Sequence, residues 1–473
     1  MKILLINPPN INPIFSVLPS ALEEERGHNP PLGLLYIAGY LRTKEKNYDV
    51  RIIDSPTENL DYPALSEKIK EFNPEVIGIT TMSFTIIDAL ETARMAKLIN
   101  PGVKIVFGGP HVHIFGKETL ELGVSDFIVL GEGEKTFHQL IKNLGDEEKL
   151  KGIPGLIFYD QNHNLINTGL REFIENLDEL PFPDRGLINN KKYFSLLGAN
   201  NLVTTMITSR GCPYQCSFCD RPQLGKRFRA RSFKNVVDEI EECLKLYGIK
   251  EFLVYDDTFT VDRQRAIDIC NEIIRRGLRI TWDIRARVNT VDEELLLLLK
   301  KAGCERVHYG VEAGTQKVLN IFRKGITLEQ AEKAFKLTKK AGLQTLGYFM
   351  IGNPTETKED ILATIKFAKK INPDYVHITI TIPYPATDLY SLALKEGIVD
   401  KDVWLEFAKN PSLEFIPPVW NQNLTRDELC SLVKLAYKEF YFRPSYLFKR
   451  ISSLRSLGEF RRKMKAGFKI FKI

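Results

Sequence analysis

Residues 208–220 read "TSRGCPYQCSFCD" and place three of the chain's 7 cysteines, Cys212, Cys216 and Cys219, within eight residues. A loop with the spacing C-x3-C-x2-C presents three thiolates to one centre. Structural zinc needs four closed ligands, usually two CxxC-like pairs or histidines at set spacing. The chain has no second pair, and the nearest histidine in sequence is His163, so zinc is the weaker reading. An electron-transfer iron-sulfur protein would supply four cysteines to its cluster. Three leave one iron without a protein ligand, open to bind and activate a small molecule.

The other cysteines do not continue the pattern. Cys243, Cys270, Cys304 and Cys430 stand alone in helix-like or strand-like surroundings and read as core fillers. An odd count in a chain without an export signal argues against a disulfide framework. The opening "MKILLINPPN" carries an apolar run of only about five residues, too short for a signal-peptide core or a membrane span. A cytoplasmic protein is expected. With 473 residues, 44% hydrophobic and 27% charged, the chain can bury more than one core.

Working outward from the cysteine loop, strand and helix patterns alternate on both sides. Downstream of Asn201, "LVTTMITS", "KEFLVYDD", "RITWDIRA", "RVHYGVEA", "QTLGYFMIG" and "YVHITITIP" read as strands. The intervening helices "SFKNVVDEIEECLKLYG" and "VDEELLLLLKKAG" end in glycine, as a C-cap prefers. Six such units predict a (β/α)6 partial TIM barrel over residues 201–388, with its chemistry at the carboxyl ends of the strands. The cysteine loop follows the first of them.

Upstream, "KILLINPP", "DVRIIDS", "EVIGITTMS", "VKIVFGG" and "DFIVLGEG" alternate with helical segments. They predict an α/β domain over residues 1–150, a doubly wound parallel sheet of Rossmann or flavodoxin type that binds its ligand beyond the strand ends. The strand-end loops are Asn7-Pro8-Pro9, Thr80 to Ser83, Gly108-Gly109-Pro110-His111 and Gly131-Glu132-Gly133. Glycine there lets backbone approach a ligand, although it also simply makes turns. Neither GxGxxG nor GxxxxGK[ST] is present, so no dinucleotide or phosphate loop is predicted. Residues 151–200 read as a connector, with a hairpin around Gln161 to Asn164 and a proline-stiffened "ELPFPDRG". Residues 389–473 form a helical C-terminal region.

With Phe218 just before its last cysteine, the cysteine loop resembles the cluster loop of the radical S-adenosylmethionine enzymes. The resemblance implies a 4Fe-4S cluster on Cys212, Cys216 and Cys219. Its open iron would be chelated by the amino and carboxylate groups of S-adenosylmethionine, whose cleavage yields a 5′-deoxyadenosyl radical. It further implies that Phe218 packs near the adenine, and that Asp256 and Asp257 in "LVYDDTFT" meet the cofactor's amino end. Arg287 would meet its carboxylate, Glu312 its ribose hydroxyls, and Met350 and Gly352 in "MIGNPTET" would lie beside the adenine. Singly, each residue has a plainer role: Asp257 a helix N-cap, Arg287 a surface ion pair, Met350 a core side chain. Their succession along the strand ends favours the cofactor reading.

"INPP", "PPLGLLYIAGYLR", "GGPH" and "VLGEGEKTF" are similar to the cobalamin-binding domain that precedes the barrel in one subclass of these enzymes. The likeness covers roughly residues 1–400. It implies cobalamin against Asn7, Pro8, Thr81, Ser83, Gly108, Gly109, His111, Gly131 and Glu132. The DxHxxG signature that gives cobalt a histidine elsewhere is absent, so base-off cobalamin is expected, with His111 lining the pocket. In "PYPATD" the chain has Ala386 where the family shows glycine, which leaves that loop's conformation open.

The resemblance implies methylation of an unactivated carbon in a small-molecule or lipid substrate, with S-adenosylmethionine as both radical source and methyl donor. An electron donor such as ferredoxin or flavodoxin follows from the same chemistry. Radical cyclisation or ring rearrangement without methyl transfer is the enzymatic alternative, and a cobalamin or iron-sulfur sensor without turnover the non-enzymatic one. A methylthiotransferase would carry cluster cysteines in its first domain, whereas the first cysteine here is Cys212.

The net charge of +6 is uneven. Residues 440–473 hold ten Lys or Arg against Glu459 alone, a net of +9, which leaves −3 for the rest. Leu447, Ile451, Leu454, Leu457, Phe460, Met464, Phe468 and Phe471 recur at three- and four-residue steps between those bases, the pattern of a basic amphipathic helix. A helix packed on the barrel is the leading reading. Membrane-surface contact through residues 445–473, peripheral on the inner face, comes second. Nucleic acid is not expected, since no fold for it accompanies the charge.

Overall fold

The computed structural model describes residues 1–14, 28–195, 197–198, 202–220, 225–444 and 446. Five strands, β1 (Lys2–Asn7), β2 (Asp49–Asp54), β3 (Val76–Thr80), β4 (Lys104–Gly108) and β5 (Phe127–Val129), pair in parallel in the order β2-β1-β3-β4-β5. Apart from the edge strand β2, with Asp49 and Arg51 exposed, they are mainly apolar because helices cover both faces of a parallel sheet. The order reverses at β1, so the loops after β1 and β3 diverge and open a crevice at the carboxyl edge.

Two further strands, β6 (Leu156–Tyr159) and β7 (Leu165–Asn167), extend this sheet antiparallel beyond β5. The hairpin in the expected connector is therefore part of the first sheet, which runs past residue 150 to Asn167.

The second sheet holds six parallel strands in sequence order: β8 (Val203–Met206), β11 (Glu251–Val254), β12 (Thr281–Ala286), β13 (Cys304–Glu312), β14 (Gln344–Ile351) and β15 (Tyr375–Ile380). Among the described residues no strand joins β8 to β15, so this is a partial barrel. A short antiparallel ribbon, β9 (Ser209–Arg210) with β10 (Arg229–Ala230), brackets the cysteine loop.

Alternation sorts the barrel side chains. Phe252, Trp282, Ile284, Val307, Tyr309, Phe349 and Ile378 join the main core beneath the surrounding helices. Their neighbours along each strand, including Asp283, Arg285, His308 and Tyr348, turn inward, so the wall of the lumen is polar while its outside is oily. Cys243, Cys270 and Cys304 lie in that core, where burial pushes the thiols of Cys243 and Cys270 up to about 12. Cys430 is half-buried.

The open edge at β15 is met by the helix Arg426–Tyr441. Tyr441 Oη accepts Val376 N–H (3.1 Å) and donates to Val376 O (3.1 Å), and Tyr437 Oη does the same at Ile378 (3.0 and 3.3 Å). Four residues of helix rise about 6.0 Å. Two residues of strand span about 6.6 Å, so successive tyrosines meet alternate strand residues. From residue 447 onward, the basic amphipathic segment lies outside the described residues.

The loop after β15 keeps the left-handed backbone that glycine would supply, with Ala386 at φ +59°. A Cβ there is strained by roughly 1–2 kcal/mol. Part of that returns as a stiffer unfolded chain, so Ala386→Gly is expected to raise unfolding stability by up to about 1 kcal/mol, read from guanidinium denaturation of the purified chain. An unchanged or lowered midpoint would contradict the strain.

Candidate active site at the strand ends

Asp256, just after β11, organises the approach to the cysteines. Its Oδ1 accepts the N–H groups of Thr208 (2.6 Å) and Ser209 (3.1 Å), and its Oδ2 accepts their hydroxyls at 2.5 and 2.6 Å. The carboxylate is buried and surrounded, so Asp256 shapes the cysteine loop rather than offering an oxygen to a cofactor. Asp257 beside it is exposed.

Beyond that anchor, Cys212 N–H donates to Gly225 O (3.4 Å), Cys219 N–H to Cys216 O (3.2 Å) and Ser217 N–H to Phe322 O (3.0 Å), while Ser217 O accepts Leu389 N–H (2.9 Å). The thiols of Cys212 and Cys216 are buried and that of Cys219 is exposed. Among the described residues no three His, Cys, Asp or Glu groups converge tightly enough for a single metal ion. A 4Fe-4S cluster takes each thiolate on a different iron, which suits three cysteines spread along one loop.

Arg287 lies over this loop. Its guanidinium sits 3.8 Å above the Tyr214 ring, with Nη1 3.7 Å from Cys216 Sγ and Nη2 donating to Lys324 O. Glu312 follows a bulge where β13 meets β14 and holds φ +72°, an outlier of the kind that collects at functional sites. Its Oε1 accepts Lys324 Nζ at 2.6 Å, and both side chains are buried. Lys324 Nζ also lies 5.6 Å from the Phe218 ring, which meets Phe322 edge-on at 4.8 Å. Phe218, Arg287 and Glu312 thus gather around Lys324, a residue with no signal of its own in sequence.

Met350, the penultimate residue of β14, is half-buried, its carbonyl accepting Asn353 Nδ2–H (3.0 Å). Gly352 has φ +75°, and a Cβ there would meet Leu429 at 2.9 Å, so only glycine fits. Glu356 holds this turn: Oε2 accepts Gly352 N–H (2.7 Å), Asn353 N–H (2.9 Å) and Asn353 Nδ2–H (3.0 Å), and buried Oε1 has no partner. Burial pushes its carboxyl up to about 7.

In the first sheet, Asn7 Nδ2–H donates to Asp54 Oδ1 (2.7 Å), and Pro8 is buried behind it. The loops after β3 and β4 are stitched together by Thr81 N–H and Oγ1–H on Gly108 O (2.7 and 3.0 Å). Gly109, at φ +116°, leaves no room for a Cβ, which would lie 2.6 Å from Thr81 O. His111 is fully buried, with Nδ1 3.0 Å from Ser83 Oγ and Nε2 without a partner; burial lowers it to about 3, so it is neutral. Gly131 N–H donates to His113 Nδ1 (3.1 Å). Bare backbone at the crevice and an unsatisfied neutral imidazole fit a large neutral-faced ligand there.

Glu132 corrects the expectation that it faces that ligand. Its Oε1 accepts Arg210 Nη1–H (2.8 Å) and Arg229 Nη1–H (3.0 Å), and its Oε2 accepts Ile174 N–H (2.7 Å) and Arg229 Nη1–H (3.0 Å). Glu134 Oε1 takes Arg210 Nη2–H at 2.5 Å. The acid turns to the ribbon that carries the cysteine loop and ties the two domains together.

Residues 206–368 match the Radical SAM superfamily and residues 22–141 the B12 binding domain. A protein of Pyrococcus horikoshii described as an uncharacterized methyltransferase is 39% identical over 455 residues, which span 95% of each chain. The chain belongs to the cobalamin-dependent radical SAM enzymes. The anaerobic magnesium-protoporphyrin IX monomethyl ester cyclase of Rubrivivax gelatinosus is 32% identical over 94% of this chain and 78% of its own. In fold, the radical SAM methyltransferase TsrM of Kitasatospora setae, solved with cobalamin and a [4Fe-4S] cluster, aligns at TM-score 0.68 over 84% of this chain and 78% of its own, with 20% identity. The cobalamin-dependent radical enzyme OxsB aligns at 0.74 over 99% and 72%, with 18% identity.

Glu356 gives the site a pH signature. Its folded-state pKa near 7 lies above the ordinary 4.5, so the stability tied to its protonated form is complete below 4.5 and lost as pH rises through 7. Denaturation curves at pH 5 and pH 8 should show Glu356→Gln gaining on the wild type at the higher pH, by on the order of 3 kcal/mol. A constant difference between the two would refute the shift.

Proposed function

We propose that this enzyme methylates a carbon atom of a small-molecule substrate, with a [4Fe-4S] cluster on Cys212, Cys216 and Cys219, S-adenosylmethionine at the cluster's open iron and cobalamin on the first sheet. The carrying observation is the cysteine loop itself: three thiols without a fourth, fixed at the carboxyl end of β8 beneath Arg287. When bound, these groups supply an alkyl radical able to take hydrogen from carbon and a methyl group to replace it.

The chain's residues supply position and charge. Arg287 offers its guanidinium to the cofactor's carboxylate, and Glu312, held by Lys324, accepts from ribose hydroxyls. Phe218, Met350 and the bare backbone of Gly352 form the adenine wall, and exposed Asp257 stands toward the amino end. On the first sheet, Asn7, Pro8, Thr81, Ser83, Gly108, Gly109, Gly131 and neutral His111 line the crevice for base-off cobalamin. A ferredoxin or flavodoxin delivers the electron. For residues 445–473, contact with the inner face of the membrane stays second to a helix packed on the barrel; no described helix is long and apolar enough to cross a membrane.

Ring closure without methyl transfer is the second reading, supported by the similarity to the cyclase.

Anaerobically reconstituted protein given dithionite and S-adenosylmethionine is expected to form 5′-deoxyadenosine and to show the optical spectrum of bound cobalamin, while Cys216→Ala falls to background. Product formation independent of the cysteine, or the absence of both signals, would sink the proposal. Label carried from methyl-labelled S-adenosylmethionine into product separates methylation from ring closure.

A further inference from the structure

Arg285 is the last residue of β12 to turn into the barrel, two residues before Arg287, which follows the strand. It is half-buried and inward-facing. Its guanidinium stacks 3.9 Å over the Tyr255 ring, donates one N–H to Val254 O (3.0 Å) and lies beside the Tyr348 hydroxyl.

The neighbouring charges are already matched. Asp283 Oδ2 meets Arg306 Nη1 at 3.3 Å and His308 Nε2 at 3.2 Å, and His308 Nδ1 lies 3.0 Å from Tyr348 Oη. Burial lowers the His308 pKa, so this imidazole adds no lasting positive charge. Among the described residues no carboxylate stands within ion-pair distance of Arg285. The guanidinium also hydrogen-bonds the Tyr255 and Tyr348 hydroxyls, and a planar five-donor cation without a carboxylate partner, held flat by an aromatic ring in a polar lumen, keeps donors to receive an oxyanion in two-point fashion.

We propose that the substrate is an anionic small molecule whose carboxylate or phosphate docks on Arg285 between Tyr255 and Tyr348, on the strand that leads to Arg287. The inference rests on the proposed radical chemistry only for its purpose: the anion anchors the molecule so that a carbon a few bonds away reaches the Arg287 and Glu312 layer. Tyr255 and Tyr348 supply a flat wall and hydroxyl donors, and the Asp283–His308 pair holds Tyr348 in place.

The test uses the reconstituted full chain with S-adenosylmethionine saturating and no reductant, so that Arg287 is occupied and nothing turns over. Benzoate, phenyl phosphate and neutral benzamide are titrated in by calorimetry. Benzoate or phenyl phosphate is expected to bind roughly tenfold or more tightly than benzamide. That preference should vanish in Arg285→Gln and survive in reduced form in Arg285→Lys, with iron content and melting midpoint confirming each variant's fold. The tighter of the two anions identifies the group. Equal affinity for benzamide in the wild type, or an undiminished preference in Arg285→Gln, overturns the inference. Because no turnover is read, 5′-deoxyadenosine formation without anion preference would leave the proposed chemistry standing and remove only the substrate class.

Discussion

Two guanidinium groups and two carboxylates, buried together between the sheets, hold this molecule in its working arrangement. Arg210 and Arg229 come from the ribbon flanking the cysteine loop, and Glu132 and Glu134 from the loop and helix after β5. Charges removed from water carry a large desolvation penalty that only their partners offset. Removing one partner while the interface stays closed would therefore leave an uncompensated buried charge, which fixes the pairing of the two faces. A second network repeats the device: Glu239 pairs with Arg185 (2.7 Å) and with Arg231, and Arg231 reaches Tyr36 Oη (3.4 Å) on the helix Leu32–Lys44. Burial pushes the Tyr36 phenol up to about 12, so it stays neutral among these charges. Arg185 belongs to the segment that links the domains, which is thus a third party to the interface rather than a slack tether.

This arrangement gives the cysteine loop its precision. Asp256 fixes its start, Phe322 and Leu389 grip Ser217 from opposite sides, and the ribbon joins it to the first domain. Groups that must act on one substrate need such over-determined supports, since small misplacements weaken chemistry that depends on approach.

Periodicity carried most of the architecture in readable form. The strands of both sheets alternate with amphipathic helices at spacings that leave parallel pairing as the economical solution, and C-x3-C-x2-C with its open valence pointed to the chemistry. What stayed hidden is what depends on direction in space. Nothing in "GEGEKTF" says that Glu132 turns away from its own crevice, because its arginines lie some 80 to 100 residues later in the chain. Asp256 and Asp257 are adjacent and chemically alike, yet one is enclosed by Thr208 and Ser209 while the other is exposed. The hairpin after Gly155 looked local, but its place beside β5 is a long-range pairing. Lys324 sits in an ordinary "FRKG" turn and matters only through Glu312 and Phe218.

The tyrosine pair on β15 bears on solubility. An unpaired strand edge is a template for pairing with another copy of the chain. A seventh strand would remove that hazard. Tyr437 and Tyr441, their rings stacked 6.1 Å apart, answer the edge's N–H and C=O groups with hydroxyls instead. The edge is made unattractive to self-association without a seventh strand, because the helix that carries the two tyrosines answers its polar groups.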